Sequence, residues 1–150
     1  MKSEANRLRH ENKLPANITF HPWAASAKVL DPEKNIIPGD KQSPLNKDYY
    51  SNLKAQAWTV VAQRFYKTWQ AVVENASFDP DEIVSLDSKM KNLHTLTREL
   101  SQATASLSSS TMKIVINKTP DGTKSPNMAD AAIMSLFPVR KSSYSLENVG

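Results

Sequence analysis

The sequence predicts an α/β fold. Three stretches carry that expectation: a long apolar repeat at helical spacing from residue 48 to about 75, a β-branched run at residues 112–117, and a Ser125-Pro126 helix start near the end. At 150 residues the chain has the length of one ordinary domain and can bury a core.

The elements follow in order. Residues 2–13 are polar apart from Ala5 and Leu8, which suits a short solvated helix ending before Pro15. Asn17-Ile18-Thr19-Phe20 and Ala27-Lys28-Val29-Leu30 are brief β-prone runs, and Pro22, Pro32, Pro38 and Pro44 then break the chain into a long surface loop. Next come Tyr50, Leu53, Ala57, Val60, Val61, Phe65, Trp69 and Val72, recurring at three- and four-residue steps, so one face of this helix packs on the core. Trp58 at the stripe's edge is expected to pack rather than stack on bases, and Arg64 is expected to form a structural ion pair.

Asp79-Pro80-Asp81-Glu82 crowds carboxylates but has the order of a capped helix start: Asp79 at the N-cap, Pro80 first, Glu82 in the reciprocal place. It lacks the Gly and terminal Glu of a calcium loop. Leu93, Leu96 and Leu100 mark a short helix over residues 92–101, and residues 103–110, small and Ser-rich, read as a loop. A strand at residues 112–117, a turn at Pro120-Asp121-Gly122 and a helix capped by Ser125 and stopped at Pro138 complete the domain, taken as residues 1–138, with a loose polar tail at 139–150.

Composition removes several classes of chemistry. Cysteine is absent, which excludes disulfides, thiol nucleophiles and Cys-ligated zinc. The three glycines, at 39, 122 and 150, cannot form a phosphate-binding Gly-rich loop. His10, His21 and His94 lack metal-ligand spacing. No apolar run approaches the roughly 18 residues of a membrane span, so no membrane partner is expected. The net charge of +4 permits nucleic acid without demanding it. Residues 1–73 carry eleven Lys/Arg against six acids, residues 74–87 five acids and no base, and the remainder eight against four, so two basic regions flank an acidic connector.

Asp130 is the acid that needs a reason. Ala129, Ile133 and Leu136 lie on an adjoining row of its helix, and Met134 and Phe137 continue its own row, so it sits at the edge of a buried face. A helix-dipole partner, a buried ion pair and a metal ion all answer the need, and spacing alone puts a structural role ahead.

Four segments in order, Asn52-Leu53-Lys54-Ala55-Gln56-Ala57-Trp58, Asp79-Pro80-Asp81-Glu82, Leu100-Ser101-Gln102 and Lys124-Ser125-Pro126-Asn127-Met128-Ala129-Asp130-Ala131, resemble the C-terminal nuclease domain of tailed-bacteriophage large terminase subunits. The resemblance spans roughly residues 5–138, and the last motif is the most specific. It implies a partial RNase H-like fold, an incomplete sheet flanked by helices, and a phage or prophage protein that cuts concatemeric DNA during packaging in the bacterial cytoplasm. Family chemistry is phosphodiester hydrolysis with acids holding Mg2+ or Mn2+. Asp130 matches the family's acid in the final helix, as catalytic residue and metal ligand. Lys113, Lys118 and Lys124 are candidates to meet phosphates of double-stranded DNA, and the portal and the small terminase are candidate protein partners. The family's first two acids, on an opening strand and at the end of a central strand, have no counterpart in this sequence, nor has the P-loop motor. The resemblance therefore implies a C-terminal portion that is inactive alone; a non-catalytic DNA- or packaging-protein-binding module and a prophage remnant are the alternatives.

Overall fold

The computed structural model describes Arg7, Leu8, His10, Glu11, Lys13 and residues 23–137. The chain divides into two units, one of Ala24–Pro138 and one of Met1–Trp23 with Val139–Gly150. In the second, Arg7, Leu8 and His10 are helical and Arg7 pairs with Glu11 one turn on. The run at Asn17-Ile18-Thr19-Phe20, the end of the last helix at Pro138 and the 139–150 tail lie outside the described residues.

The first unit is built around one helix. A short helix, α1 (Asn46–Tyr49), leads into Tyr50, and α2 runs Leu53–Val73. The apolar repeat beginning at residue 48 is thus interrupted. Tyr50 is extended and bridges to Ile114 in parallel, with Ser51 N–H donating to Ile114 O at 3.0 Å. Asn52 then caps α2, its Oδ1 accepting from Ala55 N–H at 2.9 Å. The helix stops where Asn75 enters the left-handed region at φ 53°, which Asn tolerates better than most residues, and Ala76 N–H turns back to Gln70 O at 3.2 Å.

Leu53, Ala57, Trp58 and Val61 are buried on α2, and Val84, Leu96, Ile116, Ala129 and Ile133 are buried on the elements around it. Trp58 packs, as expected. The stripe does not stay covered to the end: Trp69 is 47% and Val72 74% exposed, and Trp69 stacks on exposed Tyr66 at 5.7 Å between ring centroids. Arg64 makes hydrogen bonds to carbonyls rather than the ion pair expected of it. Its guanidinium donates to Leu136 O at 3.1 Å and to Asp81 O, tying two chain segments to α2.

Asp79 is an N-cap, accepting from Asp81 N–H at 2.9 Å, but it starts only the single 3-10 turn Pro80–Glu82. Glu82 turns away from the reciprocal cap to pair with Lys67 on α2. The chain beyond is extended, and Thr68 Oγ1 receives Val84 N–H at 2.8 Å.

Helix α3 (Leu93–Gln102) is followed by β1 (Thr104–Leu107), where a loop is expected from the small side chains. β1 pairs antiparallel with β2 (Ile114–Asn117), from Thr104 opposite Asn117 to Leu107 opposite Ile114. Backbone pairing with a β-branched neighbour places Ala105 and Ser106 in a strand that their own propensity disfavours. Helix α4 (Asn127–Leu136) closes the unit against α2 and α3. Ala27–Leu30 is not a strand. Its end is held by the buried Gln56 side chain, whose Oε1 accepts from Leu30 N–H at 2.7 Å and whose Nε2 donates to Leu30 O at 3.0 Å. The α/β architecture with a small sheet flanked by helices is as the sequence predicts. Among the described residues no helix is long and apolar enough to cross a membrane.

Candidate functional site

Asp130 stands in the first turn of α4, and two other elements converge on that turn. Pro126 precedes the helix and is fully buried, and Asp130 N–H closes the first helical bond onto Pro126 O at 2.8 Å. Ser125 does not supply the cap; its Oγ lies 3.3 Å from Asn127 Oδ1. The cap comes from α3. Glu99 Oε2 accepts from Met128 N–H at 2.7 Å and Ala129 N–H at 3.0 Å, placing a carboxylate on two of the amides that a helix start leaves without partners. Three residues on, Gln102 Nε2 donates to Lys118 O at 2.7 Å and Lys124 O at 2.8 Å. Glu99 and Gln102 share one face of α3 by this spacing, so a single helix face positions both the loop from β2 and the helix it leads into.

That arrangement places Lys118, the residue after β2, on Asp130: its Nζ donates to Oδ2. The two side chains retain 28% and 21% of their exposure. Of the three structural answers to the acid, an ion pair is the one seen, supplemented by its place at a helix N-terminus. A part-buried carboxylate without a cation would cost several kcal/mol, on the order of what desolvated charges forfeit.

Of the sequence-derived lysines, Lys118 and Lys124 lie on the loop whose carbonyls Gln102 holds, and Lys118 is the one that meets Asp130. Lys113 does not join them. It sits at the other end of β2, about 16 Å away at the rise of a strand, and its Nζ donates to Lys47 O at 2.6 Å. Glu99 and Arg98 are absent from the sequence-derived site. The signal for Glu99 is only an i, i+3 relation to Gln102 on a helix, which many surface helices share.

A cleft of about 430 Å³ opens between α3 and the loop, lined among others by Arg98, Glu99, Gln102, Thr123 and Lys124. The acidic connector makes a different hollow, where Asp79 is engaged as a cap and Glu82 by Lys67.

No family model matches the sequence, and no curated protein does. Solved structures do. The nuclease domain of the large terminase subunit gp2 of bacterial virus Sf6 is similar with a TM-score of 0.66 and 28% identity, over 77% of this chain and 51% of that one. A lysine-to-alanine variant of that domain with manganese gives 32% identity over 66% of this chain and 49% of that one, at a TM-score of 0.57. The corresponding variant with calcium gives 29% identity over 74% and 49%, at 0.63. The chain shares the fold of the nuclease domain of the Sf6 large terminase subunit over about three quarters of its length.

The chain spans about half the length of those structures. Its fold is accordingly a partial RNase H-like one, with the sheet represented by β1, β2 and the Tyr50 bridge. Two of the Sf6 structures carry manganese or calcium, which fits a family that uses divalent ions. The described residues of this segment do not by themselves make such a site. Among them no three His, Cys, Asp or Glu side chains lie close enough to hold an ion, and Asp130 is engaged by Lys118.

Proposed function

We propose that this segment is the C-terminal part of a phage or prophage large-terminase nuclease domain that cuts concatemeric double-stranded DNA during packaging. Asp130 is one carboxylate of its Mg2+ or Mn2+ site, and the segment alone is inactive. The observation that carries the reading is the position of Asp130 in the first turn of α4, inside the most specific family motif and within a fold shared with Sf6 gp2. Lys118 neutralises the acid, which would be one of the residues holding the ion in the intact domain, and Lys124 offers a cation to the DNA backbone. One carboxylate cannot hold the pair of ions that would activate water on one side and stabilise the leaving oxygen on the other.

Incubating the purified chain with supercoiled plasmid and Mn2+ tests the reading. No cleavage above background is expected. Cleavage that disappears in Asp130→Ala would refute the inactivity of the segment while upholding the role of the acid, and cleavage that survives the substitution would refute both. A non-catalytic module that docks DNA or a packaging protein such as the portal or small terminase is the rival. Salt-sensitive DNA binding unaffected by divalent ions and by Asp130→Asn would favour it.

A further inference from the structure

Arg98 and Lys124 face one cleft from opposite walls, α3 and the 118–125 loop. Neither side chain takes part in an ion pair among the described residues, in contrast to Lys118, Lys67 and Lys47, whose charges are met by Asp130, Glu82 and Glu33. The loop wall is held in place rather than left to fluctuate, since Gln102 binds both of its ends through one nitrogen. The hydroxyl-bearing Ser101, Thr123 and Ser125 line the same cleft, although Thr123 Oγ1 and Ser101 Oγ already donate to Pro120 O and Arg98 O. Glu99 is the carboxylate in the lining. Its Oε2 is turned onto Met128 and Ala129 N–H, so part of its charge is compensated by the start of α4.

We propose that this cleft is a phosphate subsite, anchored by Arg98 and completed by Lys124, that takes one backbone phosphate of a DNA strand lying across the Asp130 face. The inference rests on the DNA-cutting reading and adds a residue to it. Arg98 supplies a planar fork of N–H donors suited to two phosphate oxygens, and Lys124 supplies a point charge from the other side. Both bind the backbone, so the subsite sets the register of the strand against Asp130 without reading its sequence. Lys113, at the other end of β2 and donating to Lys47 O, is not part of it.

The test is fluorescence anisotropy of a labelled DNA duplex with the full chain across a salt series, for the parent and for Arg98→Ala, Arg98→Lys, Lys124→Ala and Lys41→Ala. Lys41 is exposed in the long loop and removes the same charge elsewhere. Arg98→Ala is expected to weaken binding by roughly fivefold to tenfold and to lower the slope of log K against log salt by about 0.9. Arg98→Lys should fall between it and the parent, and Lys41→Ala should stay within about twofold. The loss should be the same on duplexes of unrelated sequence. If the parent binds but Arg98→Ala matches it, or matches Lys41→Ala, the subsite is wrong and the DNA reading stands. If the parent shows no salt-dependent binding, the DNA reading fails and takes the subsite with it. Arg98 is exposed on α3, and circular dichroism on each variant separates lost binding from lost folding.

Discussion

Tyr50 shows how much one side chain's environment depends on its partner strand. It carries the helical stripe's spacing yet sits outside the helix, only 3% exposed, its ring edge-on to Tyr49 at 4.9 Å. Burial, with a smaller contribution from Tyr49, pushes its phenol up to about 12. The folded state therefore keeps a proton that the unfolded chain releases near the ordinary value of about 10. Stability from this group is complete below pH 10 and falls as pH rises from 10 towards 12, with a slope approaching about 1.4 kcal/mol per pH unit for one proton. Urea unfolding of the parent and Tyr50→Phe at pH 9 to 11.5 checks it: the parent should lose stability faster than the variant above pH 10. Parallel curves would show that Tyr50 ionises alike in both states. Trp58 is a second case. Its indole is buried with no hydrogen-bond partner for Nε1 among the described residues, at a cost of order 1–3 kcal/mol that its packing must outweigh.

Between elements, the decisive contacts are side chains that satisfy another segment's backbone. Gln56 on α2 holds Leu30, Arg64 holds Leu136 and Asp81, Gln102 holds both ends of the loop after β2, and Glu99 caps α4. Glu99→Ala should destabilise by about 1–2 kcal/mol, near the upper range for losing a helix cap, and Glu99→Gln by less because an oxygen acceptor remains. Thermal unfolding measures the loss, and hydrogen exchange at Met128 and Ala129 locates it. Unchanged exchange there in Glu99→Ala would remove the cap from the account. The helices α2, α3 and α4 are each legible from apolar spacing, because a buried stripe repeats with the helical period. Strand β1 is not legible. Four exposed residues, Thr104 to Leu107, carry no alternation, and only pairing with β2 makes them a strand.

At the level of the whole unit, the core belongs to the helices. A two-stranded sheet is marginal by itself, and β1 is exposed along its length, while Leu53, Val61 and Ile133 are the largest fully buried aliphatic side chains and join α2 to α4. Leu53→Ala should cost about 2–5 kcal/mol, as for other buried leucines, and Leu107→Ala, at 55% exposure, within about 0.5 kcal/mol. Chemical denaturation ranks the two, and comparable losses would mean that the sheet contributes to the core more than its burial indicates.

The sequence by itself determined the α/β class, the three longer helices, the β-branched strand and, through the order of its motifs, the resemblance to a terminase nuclease domain. These follow from periodicity and from residue identity at short range. Tertiary structure alone decided that Asp130 meets Lys118, that α4 is capped by Glu99 rather than Ser125, that Lys113 stands apart, and that Arg98 and Lys124 face one cleft. Each of these joins residues 12 or more positions apart. Which donors reach which acceptors across such separations is set by how the helices pack, and local spacing carries no information about that.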